Sequence, residues 1–299
     1  MNLIERAGRQ LGLDTAKSTA DKLAERRADP RAANHAATPE AQIIAGPAVP
    51  AKPRRETRRR VTIDFERLQQ KGFALPGDET NVAEEFRLIK RPLLAAARSN
   101  APDGAARNVI MVTSAAPHEG KTFVAVNLAF SIVAGHDVSV LLIDGDFGRP
   151  SIPSVLGFEA ESGLIDVLSD PTIELSDTLV RTNIENLTVL PAGPARPGSS
   201  ELLASNRMAR FVYEIAKRYA DRIIIFDSPP VLARSEPIVL AKHAGQIVFV
   251  VEAERTSRAA AEEALGHLDA ERIAGVVLNR APAIATHDRF GRYYYDYAR

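Results

Sequence analysis

The chain has 299 residues, of which 45% are hydrophobic and 25% charged, and its 38 basic and 38 acidic side chains balance to a net charge of zero. It contains no cysteine, which excludes disulfides and thiolate metal sites and fits a reducing compartment. No apolar run approaches the roughly 20 residues that span a bilayer, and residues 1–12 are charged where a signal peptide needs an apolar core. The sequence therefore predicts a cytoplasmic protein.

Residues 1–60 form a basic leader, with 13 basic and 7 acidic side chains. A thin apolar stripe over 1–28 predicts an amphipathic helix, and the Ala- and Pro-rich stretch 29–53 predicts a flexible linker. The run KPRRETRRR at 52–60 favours a solvated linker, with anionic lipid headgroups or an acidic partner as the alternative. Nucleic acid is disfavoured, because no base-reading or stacking module accompanies the run.

The body of the chain alternates between helical and apolar stretches. A helix is predicted over 84–97, interrupted by Pro92. Apolar runs typical of buried strands then follow at 109–114, 138–144, 187–192, 222–228, 246–252 and 273–279. The helical stretches between them lie at 121–134, 199–219, 236–243 and 256–270. This alternation predicts a doubly wound α/β domain over 61–285, with a mostly parallel sheet covered by helices on both faces.

The first strand leads into the segment SAAPHEGKT at 114–122, which has the residues of a phosphate-binding loop. Backbone N–H groups of a tight turn converge on phosphate oxygens, while Lys121 adds charge and the Thr122 hydroxyl reaches Mg²⁺. Ala115 replaces the first glycine of the standard pattern, so a plain helix start is the alternative for this motif alone. We predict a P-loop NTPase-like fold that binds the phosphates of a nucleotide through Ala116, Pro117, His118, Glu119, Gly120, Lys121, Thr122 and Phe123.

Two later strands end in carboxylates, as VLLIDGD at 140–146 and IIIFD at 223–227. A phosphoryl-transfer site needs Mg²⁺ beside the terminal phosphates and carboxylates that hold it. We assign Asp227 to the metal, Asp144 to general-base work or direct metal contact, and Asp146 to water-mediated metal binding. The predicted metal set is completed by Thr122, and the predicted catalytic residues are Lys121, Asp144 and Asp146. A helix-capping Asp followed by a turn Asp is the alternative for the pair.

The sequence leaves the roles of two further side chains in these motifs open. Arg149 could meet phosphate or form a surface salt bridge. His118 is interpreted as a loop residue rather than a catalytic one, because the sequence suggests no partner that would orient its ring.

Together the motifs SAAPHEGKT, VLLIDGDFGRP and IIIFDSPP and the C-terminal YYYDYAR resemble the bacterial tyrosine kinases that regulate capsule and exopolysaccharide synthesis. The resemblance covers roughly residues 80–299 and is greatest to the exosortase-associated autokinase branch, with weaker likeness at NLIERA and at VTIDFERL over 61–68. It implies protein-tyrosine kinase activity with ATP and Mg²⁺. It also implies the P-loop role of Gly120, Lys121 and Thr122 and the metal and acid-pair roles of Asp227, Asp144 and Asp146.

The last seven residues hold four of the six tyrosines of the chain, Tyr293, Tyr294, Tyr295 and Tyr297. A packed core would scatter its aromatic residues among apolar neighbours, so we predict a tyrosine-rich tail over 286–299. Docking of these aromatic side chains onto a partner is the alternative. The resemblance implies that they are autophosphorylated in trans, within a ring of subunits that separates once phosphate accumulates.

The resemblance also implies an oligomer interface through a Glu-x-x-Arg-x-x-Arg motif, matched here by Glu84, Arg87 and Lys90. Lys lacks the planar fork of Arg, and an intrahelical Glu–Arg pair is the alternative. His118 stands where the family usually has Gly. The implied partner is a membrane-embedded polysaccharide chain-length regulator on a separate chain, which would recruit the kinase to the inner face of the membrane.

Two other functions compete with the kinase. A partitioning or septum-positioning ATPase would switch between monomer and dimer, but such proteins carry an additional Lys where this chain has Ala116. A scaffold with an inactive P-loop is the third possibility, and the presence of Lys121, Thr122 and all three aspartates argues against it.

Overall fold

Seven strands form one sheet in the computed structural model, which describes residues 59–99 and 106–282. Along the sheet the order is β3-β4-β2-β5-β1-β6-β7. The strands are β1 Val109–Ser114, β2 Ser139–Asp144, β3 Val180–Arg181, β4 Leu187–Leu190, β5 Arg222–Asp227, β6 Gln246–Glu252 and β7 Ile273–Asn279. Every pairing is parallel except β3 with β4. The carboxyl ends of the parallel strands therefore share one edge of the sheet, where ligands bind in such folds.

Helices connect the strands and cover the sheet. They are α1 Phe65–Gln70, α2 Asn81–Arg98, α3 Lys121–Val133, α4 Ile152–Leu156, α5 Leu164–Ser169, α6 Leu175–Thr178, α7 Ser199–Leu202, α8 Asn206–Arg218, α9 Glu236–Ala241 and α10 Arg258–Gly266, with a 3₁₀ turn at Ala270–Arg272. Among the described helices, none combines the length and apolar character that crossing a bilayer requires.

The core consists of two apolar layers, one on each face of the sheet. Leu141 and Phe226 pack into one layer, whereas Leu142 and Ile225, their neighbours along β2 and β5, pack into the other. This alternation follows from the two-residue period of a strand, and it explains why these strands are apolar throughout. The predicted doubly wound α/β fold is confirmed.

The six predicted strands are present, each within two residues of its predicted ends. The seventh, β3, is only two residues long and gave no detectable apolar run. The single helix predicted over 199–219 is wrong, because the chain forms α7 and then α8. Between them the Ser205 hydroxyl accepts a hydrogen bond from the Met208 N–H at 3.2 Å, which caps a new helix start.

The predicted interruption at Pro92 is also wrong, since α2 continues through it. Pro92 has no N–H to donate to the Leu88 carbonyl, but both residues are exposed, so water can satisfy that oxygen. Phe86 and Leu93 are buried on either side of this turn and fix the helix against the domain. Tertiary packing therefore keeps α2 helical despite its proline.

The sheet also involves the first described residues. The Val61 N–H donates to the Arg181 carbonyl at 2.9 Å, and the Arg181 N–H donates to the Arg59 carbonyl at 2.9 Å. The leader before residue 59 and the tyrosine tail lie outside the described residues, so the predicted domain boundaries stay predictions.

We expect Pro92→Ala to stabilise the protein, because it restores a helix hydrogen bond at an exposed position. Proline in a helix interior costs about 3 kcal/mol relative to alanine, and we expect about 1–3 kcal/mol of this to be recovered. Urea denaturation would measure the change in free energy of unfolding. Ala95→Gly, at an exposed position of the same helix, should destabilise by about 1 kcal/mol. A Pro92→Ala protein no more stable than wild type would contradict the explanation.

Candidate active site

The phosphate-binding loop lies between the end of β1 and the start of α3 and contains two left-handed residues. Gly120, the N-cap of α3, has φ 94°, and His118 has φ 70°. A Cβ atom at Gly120 would lie 1.9 Å from Nδ2 of Asn279, and a φ of 94° is strained for any residue with a Cβ atom, so this position favours glycine. His118 adopts a left-handed conformation that glycine reaches more easily, which suits the glycine that the resemblance implies for this position.

Thr122 and Asp227 meet directly at the carboxyl edge of the sheet. The Thr122 hydroxyl donates to Asp227 Oδ2 at 2.6 Å, and Ser151 Oγ lies 2.8 Å from the same hydroxyl. Asp227 is 1% exposed, and its other oxygen, Oδ1, is buried without a hydrogen-bond partner among the described residues. The predicted Thr and Asp of the metal set are therefore adjacent, with one carboxylate oxygen still available.

Asp144 lies opposite Asp227 in the register of β2 and β5 and is fully buried. Its Oδ2 accepts hydrogen bonds from the backbone N–H groups of Ser151 at 2.9 Å and Ile152 at 3.0 Å. Asp146 is half-buried, and its Oδ1 accepts from the Arg149 N–H at 3.0 Å. The hydrogen bonds thus match the capping-plus-turn alternative, while the catalytic and metal roles of this pair stay predictions.

Burial changes the pKa values of these groups. It raises the pKa of Asp144 well above the ordinary value of 3.8, and the neighbouring Asp227 charge adds to the effect. Burial raises the pKa of Asp227 to about 7 and also raises that of Asp146. For Lys121, burial lowers the pKa, although the charges of Asp227, Asp146 and Glu119 oppose this shift. Burial therefore disfavours the ionised form of these carboxylates, and a cation bound beside them would restore it.

The residues fit a Mg²⁺ ion that is shared with a ligand. Within 59–99 and 106–282, no three His, Cys, Asp or Glu side chains are arranged to hold a metal by themselves. Mg²⁺ commonly takes only one or two carboxylates and completes its shell with phosphate oxygens and water. The unpartnered Oδ1 of Asp227 beside the Thr122 hydroxyl supplies oxygen ligands of this kind.

His118 has a neighbour that the sequence did not reveal. Nη1 of Arg149 lies 3.3 Å from Nε2 of the histidine, and both residues are exposed. Arg149 therefore contacts a ring nitrogen and, through its backbone N–H, Asp146, and it forms no salt bridge within the described part of the chain. This contact places a guanidinium group beside the phosphate-binding loop.

The three residues of the predicted oligomer interface lie on α2. Glu84 forms an ion pair with Arg87, and Nη2 of Arg87 donates to the Asp78 carbonyl at 2.6 Å. Lys90 donates to the Ser131 carbonyl on α3. The intrahelical Glu–Arg pair is therefore present, and the interface role stays a prediction.

Three residues that the sequence analysis did not single out contact the site: Ser151, Thr256 and Asn279. Asn279 ends the last strand, a position that could have suggested a role at the carboxyl edge. Ser151 follows the acid pair closely in sequence, but only the start of α4 brings it to Thr122. Thr256 had no sequence signal.

Sequence comparison with known proteins places this chain in a family. Tyrosine-protein kinase YwqD of Bacillus subtilis strain 168 is 31% identical over 230 residues, 76% of this chain and 92% of that protein. The chain belongs to the bacterial tyrosine-protein kinases. Tyrosine-protein kinase Wzc of Salmonella typhimurium strain LT2 is 31% identical over 236 residues, but these are only 32% of Wzc. No protein-family model matches the chain.

Solved structures agree with this family assignment. The VpsO kinase domain is 30% identical with a TM-score of 0.57, covering 67% of this chain and 96% of that one. The chimerical protein CapA2B2 is 28% identical with a TM-score of 0.61, covering 74% and 93%. The named kinases favour the tyrosine kinase over the switch ATPase. The exosortase-associated branch stays a prediction.

The raised pKa of Asp227 in this kinase predicts that stability falls as pH rises. Between the ordinary value of 3.8 and about 7, the native state keeps a proton that the unfolded chain has lost. The stabilisation of the native state by this bound proton is complete below pH 4 and disappears as pH rises through 7. Without nucleotide or Mg²⁺, Asp227→Asn should therefore be more stable than wild type at pH 8 by about 1–3 kcal/mol.

Urea denaturation at pH 5 and pH 8 would test this difference. Asp221→Asn is the control, because it removes a carboxylate whose side chain is 76% exposed and should leave the pH dependence of wild type unchanged. An Asp227→Asn protein that is less stable than wild type at pH 8 would contradict an ionised, destabilising Asp227 at that pH.

Proposed function

We propose that this kinase transfers the γ-phosphoryl group of ATP to the tyrosines of its own tail, Tyr293, Tyr294, Tyr295 and Tyr297. In this proposal the phosphorylation state regulates polymerisation or export of an exopolysaccharide. The observation that carries the proposal is the contact of Thr122 with a buried Asp227, beside a Lys121 at the start of α3. Family membership supports the reaction, and the contact between Thr122 and Asp227 supports this site as the place where it occurs.

The loop residues divide the binding of ATP between them. The N–H groups at the start of α3 would donate to phosphate oxygens, and the Lys121 ammonium would add a full charge. Lys121 is buried, so its attraction for phosphate is little screened by water. Thr122 and Asp227 would hold Mg²⁺, which when bound neutralises phosphate charge.

The acid pair provides the proton acceptor. A tyrosine hydroxyl has a pKa near 10, so it transfers its proton more readily to a carboxylate whose own pKa is raised. Asp144 and Asp146 both meet this requirement. Asp144 is fully buried and engaged by two amides, whereas Asp146 is half-buried. This difference favours Asp146 for direct contact with the acceptor hydroxyl and Asp144 for holding the geometry and charge around it.

Chain length permits transfer between subunits. Asn279 and Tyr293 are 14 residues apart in the sequence, which spans at most about 46–50 Å when extended. This reach includes the same site or a neighbouring one. The family resemblance favours the neighbour, in a ring built through Glu84, Arg87 and Lys90 that separates when phosphorylated tails repel. The first two of these side chains are partly exposed and therefore accessible to a second copy.

We propose a membrane-embedded polysaccharide chain-length regulator, on a separate chain, as the activator of this kinase. It would recruit the kinase to the inner face of the cell membrane. The basic run at 52–60 would contribute about 1 kcal/mol per Lys or Arg close to an anionic surface.

A mixing experiment tests transfer in trans. A Lys121→Met chain, which cannot transfer phosphate, is combined with an active chain that lacks residues 293–299. With ATP and Mg²⁺, we expect phosphate on the tail of the Lys121→Met chain, which mass spectrometry would locate between Tyr293 and Tyr297. The Lys121→Met chain alone should stay unlabelled.

The truncated chain must also phosphorylate an added tyrosine peptide in the same experiment. If it does so while the tail of the Lys121→Met chain stays unlabelled, transfer in trans is excluded. Labelling of the wild-type chain alone, at a rate independent of its concentration, would instead indicate transfer within one subunit.

A further inference from the structure

Glu119 is a carboxylate buried inside the phosphate-binding loop, with 3% of its surface exposed. Its Oε2 accepts a hydrogen bond from the Ala116 N–H at 2.7 Å, and its Oε1 accepts one from the Thr256 hydroxyl. Both oxygens are therefore engaged away from solvent. A carboxylate in this position is unexpected, because the neighbouring loop amides and Lys121 suit an anionic ligand.

Thr256 is itself fixed by the end of β6. Its hydroxyl accepts the Glu252 N–H at 3.0 Å, and its own N–H donates to the Glu252 carbonyl at 3.1 Å. These two bonds orient the hydroxyl proton toward Glu119. Because β6 pairs with β1 up to Ser114, the residue just before the loop, Thr256 connects Glu119 to the rigid sheet.

The Glu119 backbone has a third connection. Nδ2 of Asn279 donates to the Glu119 carbonyl oxygen at 2.9 Å, and the same atom lies against Gly120. The loop is thus held at its start through the Ala116 N–H and at its end through the Glu119 carbonyl. Through Thr256 and Asn279 these bonds connect the loop to the ends of β6 and β7.

We propose that Thr256 is a positioning residue for nucleotide binding, and that it acts by holding the Glu119 carboxylate turned away from the phosphates. This inference rests on the proposed function, in which the loop binds ATP. A negative charge free to turn toward the phosphates would repel them and compete for the loop N–H groups beyond that of Ala116, which it already binds. A carboxylate locked against Ala116 instead pre-shapes the loop and reduces the ordering that binding requires.

Equilibrium binding of ADP·Mg²⁺ by the full chain, measured by calorimetry, tests the proposal. Thr256→Val removes the hydroxyl at constant shape and should weaken binding about tenfold, as expected for losing one hydrogen bond to a charged group. Thr256→Ser keeps the hydroxyl and should bind like wild type. The matched control is Thr172→Val, which removes a hydroxyl bonded to Asp170 in an exposed turn after α5 and should change nothing.

A double-mutant cycle tests whether Thr256 acts on nucleotide binding through Glu119. In a Glu119→Gln background the charge is gone, so Thr256→Val should weaken binding much less than it does in wild type. An equal loss in both backgrounds would overturn action through Glu119. Thr256→Val with a lowered melting temperature and unchanged affinity would reduce Thr256 to a structural residue and also overturn the proposal.

The same titrations separate this inference from the function on which it rests. If wild type binds no ADP·Mg²⁺, the proposed function fails and the inference fails with it. If wild type binds and Thr256→Val binds equally well, only the inference is overturned.

Discussion

Two carboxylates at the ends of neighbouring central strands constrain the rest of this kinase. Asp144 and Asp227 lie opposite each other in register and are almost completely buried. An ionised carboxylate without partners is very costly in such a place, so the surrounding structure must compensate for it. The backbone N–H groups at the start of α4 bind one carboxylate, and the Thr122 hydroxyl at the start of α3 binds the other.

These hydrogen bonds compensate only in part for the burial of the carboxylates, and the uncompensated part suits the proposed function. Asp227 retains a buried oxygen without a partner among the described residues, and burial raises the pKa values of all three aspartates. A fold selected only for stability would replace such groups with neutral ones. A phosphoryl-transfer site needs these carboxylates, because they bind the cation that enters with the phosphates. The cation in turn balances the charge of the carboxylates and the phosphates.

Much of the fold could be predicted from the sequence, because strands buried on both faces are apolar throughout and most are followed by a helix. The carboxylates were predictable for the same reason, since Asp144 and Asp227 each end such a run. The prediction at Pro92 was wrong because the burial of Phe86 and Leu93 on either side of it outweighs the tendency of proline to interrupt a helix. The break before α8 depends on the single capping hydroxyl of Ser205, a signal too weak to separate two helices in advance.

The contacts that shape the loop were not predictable in the same way. Glu119 and Thr256 are 137 positions apart, and no motif connects them. Their contact exists because the end of β6 lies beside the end of β1. Likewise, Ser151 reaches Thr122 only through the turn that follows the acid pair. Motifs therefore revealed the groups that carry charge, while the residues that hold them required the three-dimensional structure.

The rate of phosphoryl transfer in a single turnover tests the central claim most directly. Wild-type, Asp144→Asn and Asp227→Asn chains would be mixed rapidly with ATP and Mg²⁺, with phosphotyrosine followed over time and folding checked by circular dichroism. Both variants should transfer phosphate at least about 10²–10⁴-fold more slowly than wild type, because each changes the charge around the transferring group. Folded variants with transfer rates close to that of wild type would contradict the account.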